Sequence, residues 1–180
     1  MKKTKIAVLS LCLGLLIAVS LPVARAASRE NQAKEILKEL QLSAATVAGQ
    51  TDELSLSIRD GNWSPETQAY RLETVKEEVN QMGREMSKLE QERGTLRLWE
   101  QQAIDRSLPL LQEIAANTES AITYFNANKS HLWAETYRGY VEDVRQDSEQ
   151  ISKTVKGYLK YAKLEDQKQR LQENLEMRAN

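Results

Sequence analysis

One histidine, His131, stands among 180 residues, together with four methionines and one cysteine. In a helical protein a His and a Met on facing helices can ligate a non-covalent haem iron, and His131 opposite Met82, Met86 or Met177 is such a set. The same residues also have a plain reading. His131 then sits at a solvated helix start, and Met82 and Met86 fill core space, which their flexible thioethers do well. The sequence holds no His-x-x-x-His or Glu-x-x-His pair for a bundle metal, no Cys-x-x-Cys-His, no glycine-rich phosphate loop and no Gly-x-Ser-x-Gly elbow. Neighbouring carboxylates such as Glu77 with Glu78, or Glu90 with Glu92, fall on outward helical positions. Nothing there buries a carboxyl or shifts its pKa for acid–base work. The expectation is a protein that is not an enzyme and carries no metal or cofactor.

Aromatic residues form the one local concentration. Tyr124 and Phe125 close one expected helix, and Trp133, Tyr137 and Tyr140 open the next at spacings of four and three, so both sets point into one end of the molecule. Trp63 lies in a polar turn. These six residues are the candidate interaction surface, an aromatic platform that could take a sugar, a peptide or a partner helix. The structural alternative is that they plug the bundle end where two helices diverge.

The elements that would hold these residues follow from hydrophobic spacing. Ala33, Leu37, Leu40, Ala44, Val47, Thr51, Leu54 and Ile58 alternate three and four apart, predicting a helix over about 28–59. Asp60 to Thr67 then supplies a stop and a start, with Gly61 as C-terminal cap, Ser64 as N-cap and Pro65 at the first helical position. The next seam reads Leu72, Val75, Val79, Met82, Met86, Leu89, Arg93, Leu96 and Ala103. It keeps its phase across Gly94, which predicts one helix over 65–105; a hairpin at Arg93-Gly94-Thr95 is the alternative. Ser107 and Pro109 mark the start of a third helix, 108–126, with Leu108, Leu111, Ile114, Ala115, Thr118, Ile122 and Phe125 on one face. A fourth, 131–177, turns Trp133, Tyr137, Tyr140, Val144, Ile151, Val155, Tyr158 and Ala162 inward. Beyond Lys163 the leucines at 164, 171 and 175 shift to a displaced stripe. The fold class is therefore all-α: an antiparallel three- to four-helix bundle with long, coiled-coil-like helices.

The amino terminus gives an address. Lys2, Lys3 and Lys5 precede an apolar run from Ile6 to Leu21, and Ala24-Arg25-Ala26 offers small residues at a cleavage site. This pattern predicts a secretory signal peptide over 1–26, leaving a single domain over 27–180; retained, the run would instead act as a membrane anchor. Removing its four basic residues leaves 21 Lys and Arg against 26 Asp and Glu, a net charge of −5. That balance argues against nucleic acid as a partner. Cys12 leaves with the signal, so the mature chain has neither disulfide nor thiol chemistry.

A lysine-led signal ahead of amphipathic helices rich in Glu and Gln is similar, as a general type, to periplasmic helical chaperones and to the sensing bundles of envelope receptors. The chain departs from those classes in lacking a Leu-Thr-x-x-Gln repeat and a second membrane-spanning segment. The expectation is an exported bundle in a bacterial periplasm or outside the cell, not stably inserted in the membrane after cleavage. It would serve in protein interaction, as a chaperone-like or scaffolding element, with another envelope protein or a second copy of itself as partner. A ligand- or haem-binding module and a membrane-tethered spacer are the alternatives.

Overall fold

The computed structural model of the chain describes residues 21–60, 64–129 and 131–179. Four helices make up nearly all of them: α1 (Leu21–Arg59), α2 (Pro65–Glu92), α3 (Leu98–Ala127) and α4 (Glu135–Ala179). No strand occurs among the described residues. α1 packs on α2 and α4, and α3 packs on the same two, so each helix has two neighbours around a common core. Side-chain pairs such as Lys34 with Asp166, Ser57 with Gln68 and Tyr124 with Tyr137 join late residues of one helix to early residues of its neighbour. The neighbours are therefore antiparallel, and the fold is the four-helix form of the expected bundle. The proposed signal peptide lies largely outside the described residues, as do Cys12, Gly61 and Trp63.

The spacing pattern states why these segments are helices and which face each buries. All eight inner positions of α1, from Ala33 to Ile58, are buried, as are Leu72, Val75, Val79, Met82, Met86 and Leu89 on α2. Each fully buried Leu or Ile contributes about 1.5–3 kcal/mol of transfer free energy. α2 begins as expected: Ser64 is extended, its hydroxyl accepts from the Thr67 N–H at 3.1 Å, and Pro65 occupies the first turn, where its missing N–H costs nothing.

The expected 65–105 helix is corrected. α2 ends at Glu92, a single 3-10 turn spans Arg93–Thr95, and the chain reverses into α3 at Leu98. Leu96 and Arg97 are extended, and the Arg97 N–H donates to the Glu100 carboxylate at 2.7 Å, capping the new helix. Leu96, Trp99, Ala103 and Ile104 are buried on the returning arm. Because both arms face one core, a seven-residue period crosses the turn although no helix does.

The expected third helix, 108–126, is corrected for the same reason. α3 already runs from Leu98, and Ser107 and Pro109 lie inside it. Ser107 is buried, and Pro109 sits on the exposed side, so the Asp105 carbonyl that loses its helical partner is also on the wet face. The fourth helix is corrected from a start at His131 to one at Glu135, because His131 to Ala134 form turns closed by His131 N–H to Asn128 and Ala134 N–H to His131.

Two buried clusters fill the bundle. The larger runs from Ala33 and Ala162 through Met82, Met86, Trp99 and Ile114. The smaller closes the other end with Leu54, Ile58, Leu72, Phe125, Leu132 and Tyr137. Past Ala162, α4 continues with its apolar residues uncovered.

Candidate functional site

Of the six aromatic candidates, the structure brings four into the plug of the bundle. Phe125 and Tyr137 are buried, Tyr124 and Tyr140 are half-buried, and Tyr124 stacks on Tyr137 with ring centroids 5.8 Å apart. The Tyr137 hydroxyl donates to Gln68 Oε1 at 3.1 Å, Gln68 Nε2 donates to Ser57 Oγ at 2.8 Å, and Ser57 Oγ donates to the Leu54 carbonyl at 2.8 Å. This chain of bonds joins α4, α2 and α1 through the core, and burial pushes the Tyr137 phenol well above its ordinary range. Trp63 lies outside the described residues.

Trp133 is corrected from an inward to an outward position. It precedes α4, so helical spacing does not apply to it; Leu132 takes the buried place, and Trp133 is 53% exposed. Its ring stacks on His131, centroids 4.7 Å apart and planes 27° apart. Beside it, α1 and α4 form a groove of about 880 Å³, with Asp52, Leu56, Arg59, Glu135, Arg138 and Arg145 in its lining. Arg145 is held from both sides, by Glu142 at 2.6 Å and Glu149 at 2.5 Å. The Arg145 hydrogen bond holds the Glu142 carboxyl down to about 2. The sequence singled out Trp133 but set it inward; the rest of the lining had no signal, because it comes from two segments about 80 residues apart with no local spacing signature.

The haem set is not assembled. Met82 and Met86 are buried partway along α2, while His131 lies in the turn facing the start of that helix. From Pro65 to Met82 the helix advances roughly 25 Å, too far for one iron. Met177 is exposed at the opposite end of α4. No cluster of three or more His, Cys, Asp or Glu positioned for a metal occurs among the described residues.

The second uncovered feature is the end of α4. Tyr161, Leu164, Lys168, Leu171 and Leu175 recur at three and four residues, the a/d spacing of a coiled-coil seam, and all five are exposed. Leu171 is 64% exposed and Leu175 66%. Asp166, at the root of this segment, bonds Lys34 of α1 at 2.8 Å and lies 3.6 Å from Arg97, and the Lys34 bond holds its carboxyl below the usual range. The segment is thus fixed at its base and unpartnered along its seam. Between α2 and α3 lie two smaller hollows, one of about 390 Å³ beside Val79 and one of about 370 Å³ beside Gly83, Met86 and Leu111, with Ala115 lining both.

No helix among the described residues is long and apolar enough to cross a membrane. Comparison of the chain with protein-family models, curated proteins and solved structures gives no match.

Proposed function

We propose that this chain is an exported, non-enzymatic interaction protein of the bacterial cell envelope, a bundle that presents the end of α4 to a helix of another protein. The observation that carries this reading is the uncovered seam of Tyr161, Leu164, Lys168, Leu171 and Leu175. A surface helix normally hides its leucine stripe against its own domain. Here the stripe continues past the last buried core residue, Ala162, for about 20 Å, to Leu175. Lys168, central in the seam, would select partner and register at some cost in affinity, as a lone polar residue at such a position does.

The test is a photo-crosslinking amino acid at position 171 of the exported protein. A discrete adduct with one envelope protein is expected, lost when Leu164 and Leu175 are both changed to Glu. The absence of any adduct above background, with the protein monomeric at every concentration in sedimentation, overturns the proposal. An adduct joining two copies of the chain would replace the envelope partner with self-association.

A further inference from the structure

The groove between α1 and α4 offers a combination of groups that its size alone does not explain. Trp133 forms one wall, with His131 stacked on one ring face and more than half the residue open to solvent. Leu56, 38% exposed, adds an apolar edge across the groove. Gly139 contributes no side chain to the lining, and a Cβ placed there would meet nothing within 4 Å. A volume of about 880 Å³ suits an extended ligand rather than an ion.

The charges narrow the chemistry. Arg59, Arg138 and Arg145 face Asp52, Glu135 and Glu142, so the lining has no net sign. A phosphate- or carboxylate-dense ligand would find as much repulsion as attraction. Arg145 is already bound by Glu142 and Glu149, whereas the Arg138 guanidinium and the Glu135 carboxylate have no ion-pair or hydrogen-bond partner among the described residues. Free donors and free acceptors therefore stand close together beside a flat aromatic face. A folded partner's apolar anchor needs a dry pocket, and this groove is open, with charged groups along most of its length. A pyranose ring has the complementary surface: C–H groups on one face, for an aromatic shelf, and hydroxyls around the rim that both donate and accept.

We infer that the α1/α4 groove binds a neutral saccharide chain, with one sugar ring on Trp133 and its hydroxyls bonded to Arg138 and Glu135. The inference is independent of the α4 seam, which lies at the opposite end of the bundle.

The experiment uses the purified exported protein labelled with nitrogen-15, in which the three indole N–H signals are assigned by single Trp→Phe variants. Chitohexaose, cellohexaose and maltohexaose are titrated to millimolar concentration. The expected result is a saturable shift of the Trp133 indole with at least one of them, while Trp99, buried at the other end, stays still. Trp133→Ala should abolish the shift, Trp133→Phe should keep part of it, and Arg138→Ala should weaken binding about tenfold, the loss expected for a hydrogen bond to a charged group. Circular dichroism of each variant separates loss of binding from loss of fold. No saturable shift with any of the three chains overturns the inference, as does a shift that survives Trp133→Ala. Tighter, strongly salt-dependent binding of polyphosphate or an acidic peptide overturns it too.

Discussion

Tyr137 carries a hydroxyl into the core, and its hydrogen bond to Gln68 decides what removing it does. Tyr137→Phe keeps the ring and its stack on Tyr124 but strands the buried Gln68 carbonyl oxygen, so a loss of about 1–3 kcal/mol is expected, read as a lower midpoint in urea. Gln68→Leu in the same background should return part of it, since the stranded acceptor is gone. Carboxyls set opposing pH dependences: Glu142, Glu149 and Asp166 are lowered and Asp147 is raised. Glu142 is held at about 2 by Arg145, then by Gln146, so its stabilising effect is complete above its ordinary value near 4.5 and fades as pH falls through about 2. The pair is well exposed, which limits the effect to a few tenths of a kcal/mol. Asp147 is shifted upward, first by burial and then by Glu113 and Asp143, so its ionised form is disfavoured in the fold and acidification relieves that cost. Arg145→Ala should reduce the loss of stability on acidification, leaving the part that Glu149 with Lys153 and Asp166 with Lys34 retain, and should keep the opposing effect of Asp147. The check is melting temperature measured from pH 5 down to pH 2.

Among the elements, α3 holds the clearest conflict between local rule and tertiary structure. A proline inside a helix costs about 3 kcal/mol relative to alanine, and Pro109 remains because its ring faces water and Leu111 and Ile114 are buried just beyond it. Pro109→Ala should therefore stabilise the protein by about 1–3 kcal/mol, seen as a higher urea midpoint with an unchanged slope. The helix faces were legible in the sequence, and so was the α2 start at Ser64 and Pro65, because caps and spacing are local facts. The turn at Arg93 to Thr95 was legible only as the alternative to a continuous helix. Its glycine has no positive φ and its apolar residues keep phase across it, so the spacing favoured continuity; Glu100 is buried on the returning arm, where its carboxylate accepts from the Arg97 N–H. At the aromatic end, the concentration of rings was readable. Which ring faced outward depended on α4 starting at Glu135, a boundary set by backbone bonds between Asn128 and Ala134.

At the scale of the whole molecule, the bundle body and the α4 extension are separable. Removing residues 168–180 keeps Asp166 with Lys34 and Arg97 and deletes only exposed side chains among the described residues. The melting temperature should shift by no more than about 2 °C, as for changes confined to the surface, while a photo-crosslinker at position 164, retained in the shortened chain, should no longer capture the partner. The packing of the first helix on the last has another consequence. Residues near the start of α1 and the end of α4 lie side by side, as Lys34 and Asp166 show, although 132 positions separate them along the chain. α1 and α4 make the most extensive of the helix pairings, and it can form only after the longest loop in the molecule closes. A circular permutant that fuses α4 to α1 through a flexible linker and opens the chain between α1 and α2 would turn that pairing into a hairpin. Its mean contact separation would fall, and stopped-flow refolding should be faster than for the natural order of helices.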